Sequence, residues 1–200
     1  MKLAVRVVIP ATFALAATPA FAHLDPVENG SFAAGFSHPL FGLDHVLAMV
    51  AVGLWAAIIG GRAVWVVPAA FVGTMIVGSA LALVGAPLPF VEPAILASVV
   101  VLGLLVAMAV NVPAAAGAIL VGAFALFHGH AHGGELGAAS ALPYLFGFAV
   151  ATTLLHGAGI GIGLALGSGV GLGRETGRTV ARGAGALSAA AGIALFAGVL

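Results

Sequence analysis

Long apolar stretches, separated by short breaks that contain glycine, proline or charged residues, form the pattern of this chain. Six stretches follow one another after residue 22, and each is long enough for a helix to cross a bilayer, which takes roughly 20 residues. They lie near residues 32–59, 63–84, 91–110, 113–130, 141–166 and 178–199. No connection between them is long enough for a soluble domain. The pattern predicts an all-α membrane protein, with one domain over residues 23–200 that is a bundle of six transmembrane helices.

The first 22 residues have the pattern of a cleaved secretory signal peptide. Lys2 and Arg6 flank the start of an apolar segment, and Ala20-Phe21-Ala22 is a small-x-small cleavage site. Cleavage there makes His23 the new N-terminus, whose free amine and imidazole together suit a divalent metal. An uncleaved signal anchor and a terminal histidine without a role are the alternatives.

Composition identifies lipid as the solvent of this chain. Its 200 residues are 62% hydrophobic and 6% charged, whereas soluble domains carry about 25% charged residues. Such a chain cannot cover itself with a polar surface. A formal net charge of zero and the lack of a basic patch exclude a nucleic-acid partner. The chain has no cysteine, which excludes disulfides and thiolate metal sites.

The charged residues also predict an orientation. A cleaved signal peptide places residue 23 in the periplasm, and six crossings return the C-terminus to that side. Every arginine of the mature chain then lies in a cytoplasmic segment, as the positive-inside rule requires. These residues are Arg62, Arg174, Arg178 and Arg182. We therefore expect a multi-pass protein of the bacterial inner membrane with a periplasmic N-terminus.

The first candidate site lies in the first apolar stretch, where an uncharged segment follows His38, Asp44 and His45. Ionisable groups near the edge of the hydrocarbon layer are expensive, and they are retained mainly where they bind an ion or line a path. Imidazole and carboxylate ligands suit divalent nickel, cobalt or zinc. Gly35, Pro39 and Gly42 interrupt the stretch and predict a broken or tilted helix at His38 to Asp44. Met49, one turn below His45, is either ordinary packing or a soft further ligand.

A second cluster of metal-ligand residues lies at the outer end of the fourth stretch. His128, His130, His132 and Glu135 occur within eight residues, and intervening glycines would let their side chains converge. If the helix continues, His128 and His132 share one face. A polar loop that is merely solvated is the alternative interpretation. No His-Glu-x-x-His helix marks a zinc enzyme.

His156 is the third candidate, close to the middle of the fifth stretch. It is either a metal ligand on the path of an ion or a hydrogen-bonding partner of a neighbouring helix. Glycines follow it at the small-residue spacing that favours close helix packing. They are Gly157, Gly159, Gly161, Gly163 and Gly167.

Three blocks of this sequence resemble the signature blocks of the HupE/UreJ family of nickel permeases. They are His38-Pro39-x-x-Gly42-x-Asp44-His45, His128-Gly129-His130-Ala131-His132-Gly133-x-Glu135 and Gly147-Phe148-x-x-Ala151-Thr152-x-x-Leu155-His156. The resemblance runs in the family's order from the signal peptide to the last helix. It implies a permease for nickel, with cobalt as the second candidate, that supplies hydrogenase or urease maturation. The ion is then a transported ligand, and no prosthetic group is expected.

The predicted mechanism is an ordered passage of the ion. The second cluster captures it in the periplasm, with His23 assisting, and the first cluster and then His156 pass it inward. The chain has no Gly-x4-Gly-Lys-Ser/Thr loop for ATP, so transport is facilitated diffusion or secondary. The alternative is a metal-binding sensor or chaperone subunit without transport of its own. We expect no enzyme activity, and the sequence leaves homo-oligomer formation open.

Overall fold

The computed structural model describes residues 30–137, 139–169, 171 and 173–200. The predicted signal peptide and His23 lie outside the described residues. The described part of the chain is all helical, without strands, which confirms the predicted class. Its helices are Ser31–Phe41 (α1), Leu43–Ile59 (α2), Ala63–Leu83 (α3), Val91–Ala107 (α4), Ala114–Gly134 (α5), Ala141–Ser168 (α6) and Arg174–Phe196 (α7).

Helix lengths support several membrane crossings. The helices α3, α5, α6 and α7 are each long and apolar enough to span a bilayer, and α1 with α2 forms a further span if the bent pair is counted as one. The apolar helix α4 has 17 residues, roughly 25 Å of helix against about 30 Å of hydrocarbon. The chain therefore has the helices of a multi-pass membrane protein, while the count of six spans stays a prediction.

The first predicted stretch is two helices, α1 and α2, which meet at an angle of 80°. The break lies at Gly42, whose backbone is extended with φ −81° and ψ 114°. The new helix starts at once, because the Val46 amide donates to the Gly42 carbonyl at 3.0 Å. The predicted break at this motif is confirmed. It places His38 at the end of α1 and Asp44 and His45 in the first turn of α2.

Helix α2 is the centre of the bundle, because it contacts all six other described helices. The large side chains around it are fully or almost fully buried, among them Met49, Trp55, Phe71 and Phe148. Trp55 also donates its indole N–H to the Val110 carbonyl at 2.8 Å, beyond the end of α4. The core therefore fixes α2, and with it the position of Asp44 and His45.

Glycines set the closest helix contacts. A Cβ atom at Gly129 of α5 would clash with the Met75 carbonyl of α3, and one at Gly53 of α2 would clash with the His156 carbonyl of α6. The glycines predicted to pack after His156 divide into two groups. Gly159 and Gly163 contact α2, whereas the other three have open space.

The outer surface is apolar and the interior holds the polar residues, the reverse of a soluble protein. Trp65, Ile119, Leu142 and Leu187 are 74–82% exposed. Four histidines, three serines and a threonine are buried in the bundle interior. They are His45, His128, His132, His156, Ser79, Ser98, Ser188 and Thr152. This distribution fits a lipid environment, in which large apolar side chains need no cover.

Candidate metal site

The two histidine motifs, which are far apart in the sequence, meet at one end of the bundle. We call this group the histidine cluster: His38 from α1, Asp44 and His45 from α2, and His128, His132 and Glu135 from α5 and its C-terminal cap. Helix α5 continues to Gly134, beyond the predicted end near residue 130. His128 and His132 therefore lie on one face, about 6 Å apart along the axis.

His45 and His132 form the centre of the cluster. Their Nε2 atoms are 2.5 Å apart, and their rings are 4.5 Å apart between centroids. The other nitrogen of each ring faces a carboxylate: His45 Nδ1 is 2.9 Å from Asp44 Oδ1, and His132 Nδ1 is 3.3 Å from Glu135 Oε2.

These contacts favour one protonation pattern, most directly for His45, whose Nδ1 is hydrogen-bonded to Asp44. His132 Nδ1 lies near Glu135 without a hydrogen bond among the described residues. A carboxylate only accepts hydrogen bonds, so Asp44 and Glu135 favour a proton on the Nδ1 atom that faces each of them. The lone pairs of the two Nε2 atoms then point at each other. Two lone pairs 2.5 Å apart repel unless a cation lies between them. In that tautomer the arrangement suits an electrophile between the two rings, which is either a proton or a metal ion.

The outer part of the cluster is open to solvent. His38 Nε2 lies 3.4 Å from Glu135 Oε2, and the Glu135 side chain is 51% exposed. His38, His132 and Glu135 each offer a ligand atom within 4.8 Å of the others, a spacing that would hold a metal ion. The pKa of the Glu135 carboxyl lies well below its usual range, because the imidazoles of His132 and His38 contact the carboxylate. Glu135 is therefore an anion at neutral pH.

The inner part of the cluster is His128, which is fully buried. The Ser98 hydroxyl donates to the Ile95 carbonyl at 2.6 Å, so its oxygen accepts from His128 Nε2 at 3.0 Å. The proton of this ring is thus on Nε2, and Nδ1 carries the lone pair. In the part of the chain that the structure describes, Nδ1 has no hydrogen-bond partner, and the ring lies 4.9 Å from that of His45 between centroids. His128 is a neutral imidazole with a free ligand atom.

His156 lies deeper in the bundle, separate from the cluster. The residue is 1% exposed, and neither ring nitrogen has a hydrogen-bond partner among the described residues. The ring of Phe71, also fully buried, is 5.0 Å from His156 and 5.6 Å from His128. A buried histidine without partners is rare. The interpretation of His156 as a hydrogen-bonding partner of a neighbouring helix therefore finds no support among the described contacts.

His130 and Met49, both named by the sequence analysis, lie outside the cluster, and so does the acid Glu92. His130 Nε2 donates to the Ala86 carbonyl at 2.8 Å, in the connection between α3 and α4. Met49 is fully buried in the apolar core. Glu92 is exposed in the first turn of α4. The structure thus brings together His38, Asp44, His45, His128, His132 and Glu135, and it leaves His130 apart.

Sequence reasoning missed Ser98, Phe71 and Phe148 as parts of this site. Ser98 sets the tautomer of His128, Phe71 contacts two of the histidines, and the ring of Phe148 is 4.3 Å from that of His132. A serine in an apolar stretch is a weak signal for Ser98. Phe148 belongs to the third block of the resemblance, which gave it no role, and Phe71 has no signal, because it resembles every other apolar residue of a membrane helix.

The histidine cluster has the chemistry of a site for a divalent metal ion. Two imidazole nitrogens on one tetrahedral ion lie roughly 3.3 Å apart, given bonds of about 2.0–2.1 Å. The Nε2 atoms of His45 and His132 would therefore separate by less than about 1 Å to bind one. The carboxylates behind them would orient the rings and increase their basicity, as outer carboxylates do in histidine metal sites.

Comparisons with known proteins agree with this chemistry. The family described as HupE/UreJ protein matches residues 11–195. Protein HupE of Rhizobium leguminosarum bv. viciae is 48% identical over 193 residues, which cover 95% of this chain and 97% of that protein. No solved structure matches the chain.

Proposed function

We propose, from the premise that the chain belongs to the HupE/UreJ family, that it is a permease carrying nickel or cobalt ions across the bacterial inner membrane into the cytoplasm. The family is one of metal transport and accessory proteins rather than enzymes. One observation carries the proposal for this chain. The Nε2 atoms of His45 and His132 face each other 2.5 Å apart, and a carboxylate lies beside the Nδ1 atom of each ring.

The first step is capture at the solvent-exposed side of the cluster. Glu135 supplies a negative charge at the surface, and His38 and His132 supply nitrogen ligands around it. Such a set holds an ion by three ligands and leaves its other positions to water. Incomplete ligand sets suit transport, since an ion must bind strongly enough to enter and weakly enough to leave.

The second step is a hand-off within His132. Its Nδ1 faces Glu135 and its Nε2 faces His45. The ion passes from one side of the ring to the other as the ring proton moves from Nε2 to Nδ1, where Glu135 accepts it. His128 offers the next free nitrogen, 4.9 Å from the His45 ring between centroids. No stage then leaves the ion without nitrogen ligands in a region where a bare charge is very costly.

The third step passes Phe71. Its ring contacts both His128 and His156 and is fully buried, so an ion that moves between these histidines must displace it. His156, with two unpartnered nitrogens, is the receiving ligand. Release follows at the end of the bundle that carries the arginines. The direction of transport rests on the predicted orientation, with the cluster on the periplasmic side.

Uptake into sealed vesicles tests the proposal. The purified full-length protein is reconstituted, and nickel and cobalt entry is followed with an indicator trapped inside. We expect uptake by the wild type and at least about a tenfold loss in His132→Gln, the range reported for lost metal-site partners. His130→Gln is the matched control and should transport normally, because the amide can still donate to the Ala86 carbonyl. Metal binding without uptake would instead identify a sensor or chaperone subunit.

A further inference from the structure

A second polar region lies at the opposite end of the bundle from the histidine cluster. A cavity of about 950 Å³ opens between the C-terminal ends of α2, α4 and α6 and the N-terminal turns of α7. This volume is near the upper limit of about 1,000 Å³ for ordinary small-molecule sites. The proposed transport path uses none of the residues that line this cavity and assigns no bound molecule to it.

Three arginines line the cavity from one face of α7. Arg174, Arg178 and Arg182 are spaced four residues apart, so they lie one above the other along the helix. The lining includes one acid, Glu175, which leaves an excess of two positive charges. A divalent cation would be repelled here, so the cavity suits an anion.

Arg174 and Arg178 have unused guanidinium donors, whereas Arg182 uses one of its donors within the protein. Arg182 Nε donates to the Ala107 carbonyl at 2.8 Å and thereby caps the end of α4. Within the described part of the chain, no hydrogen bond or ion pair involves the guanidinium of Arg174 or Arg178. Paired guanidinium groups bind phosphate oxygens well, because their planar donors match the geometry of the anion.

The rest of the cavity lining is mixed, because Asn111 and Thr179 add polar groups beside an apolar part. Ala57 and Ile58 from the end of α2, Gly163 and Gly167 from α6, and Ala181 from α7 contribute to the apolar part. A free inorganic anion makes no use of such an apolar surface. A lipid does, since its headgroup carries the phosphate and its glycerol and upper acyl chains are apolar.

We infer that this cavity binds the phosphate headgroup of an anionic phospholipid. Basic pockets between transmembrane helices are known to recognise such headgroups. The cavity lies where the helices end, at the depth of the headgroups of the adjacent leaflet. The inference does not depend on metal transport, because it rests on other residues at the other end of the bundle.

Lipid binding to the purified full-length protein, measured by native mass spectrometry, tests the inference. Phosphatidylglycerol and phosphatidylcholine with identical acyl chains are compared, and inorganic phosphate is added as a separate competitor. We expect one tightly bound phosphatidylglycerol and no equivalent phosphatidylcholine. In R174Q/R178Q the affinity for phosphatidylglycerol should fall by roughly 25-fold, since each basic side chain contributes about fivefold.

Two further variants make the result decisive. R62Q removes an arginine that lies outside the cavity and should bind phosphatidylglycerol like the wild type. Gly167→Phe keeps every charge but fills the cavity, where a side chain at this position meets open space, so it should also lose the lipid. Should the double arginine variant fail to fold, Gly167→Phe alone decides. Equal binding of both lipids, displacement by inorganic phosphate, or an equal loss in R62Q would overturn the inference.

Discussion

Asp44 and Glu135 act on the histidines rather than on the point where the two Nε2 atoms meet. Each carboxylate contacts an Nδ1 atom and thereby leaves the Nε2 atom of the same ring free to bind an ion. Ser98 does the reverse for His128, since it accepts from Nε2 and leaves Nδ1 free. The ligand atoms of the site are thus selected by three neighbouring residues that are not themselves at its centre.

Replacing Asp44 by Asn should abolish most uptake without reducing the amount of protein in the membrane. An amide can donate to His45 Nδ1, which would move the ring proton to Nε2 and remove the ligand atom. We expect a 10- to 100-fold weaker apparent affinity for nickel, the usual effect of losing an outer carboxylate. Glu92→Gln is the control, because that acid is exposed at the start of α4. Wild-type uptake by D44N would remove Asp44 from the mechanism.

Replacing Ser98 by Ala should slow transport and lower stability together. The variant leaves the N–H of a fully buried His128 without an acceptor, which costs about 1–3 kcal/mol. Thermal unfolding in detergent and the maximal rate of nickel uptake measure the two effects. The matched control is Ser188→Ala, because Ser188 is also buried but its hydroxyl has no partner to lose. Equal melting temperatures for the two variants would contradict the role given to Ser98.

Two helix features assemble the cluster. The bend at Gly42 points the end of α1 and the start of α2 at the same region. Close packing of α3 on α5 at Gly129 and Gly133 fixes the height and rotation of the helix that carries His128 and His132. The cluster therefore depends on helix contacts that involve no histidine side chain.

Gly129→Ala should damage the site although it lies outside it. A Cβ atom there would clash with the Met75 backbone, so α3 and α5 must separate. We expect lower abundance or a lower melting temperature and loss of nickel uptake. Gly134→Ala is the control in the same helix. A Cβ atom at Gly134 meets open space, so this variant should behave as the wild type. Normal uptake by the Gly129 variant would show that this helix contact does not position the cluster.

The sequence predicted individual helices better than it predicted which helices pack together and how each is rotated. The apolar stretches and a break at this motif were predictable, because hydropathy, glycine and proline act locally, although Gly35 and Pro39 lie inside α1 and only Gly42 ends it. The end of α5 was placed too early, since histidine and glycine are typical of loops, whereas His128 and His132 are buried inside a helix. From the sequence alone, the two histidine motifs were treated as successive sites on the path of the ion. In the structure they form one cluster. Hydropathy does not specify which helices are neighbours or how each is rotated, so the contact of His45 with His132 was not predictable.

At the scale of the whole molecule, α2 contacts every other described helix and the polar groups lie inside an apolar exterior. The histidine cluster lies near one end of the bundle and the arginines of the described residues lie near the other. This polarity agrees with the predicted orientation, in which the arginines are cytoplasmic.

Reporter fusions test that orientation. A fusion at Leu200 should be active in the periplasm, and one at Gly171, between α6 and α7, should be active in the cytoplasm. The two sites flank one predicted span, so they must give opposite results. A cytoplasmic C-terminus would mean an uncleaved signal or a different number of spans, and it would reverse the direction of transport proposed from the cluster.

The central claim is that His45 and His132 bind the transported ion at a single site. The X-ray absorption spectrum of the purified protein with one equivalent of nickel measures this most directly. We predict nitrogen and oxygen ligands only, with the scattering pattern of at least two imidazoles, and loss of the imidazole pattern in His132→Gln but not in His130→Gln. A sulfur ligand, or a spectrum that is the same in the wild type and His132→Gln, would contradict the account.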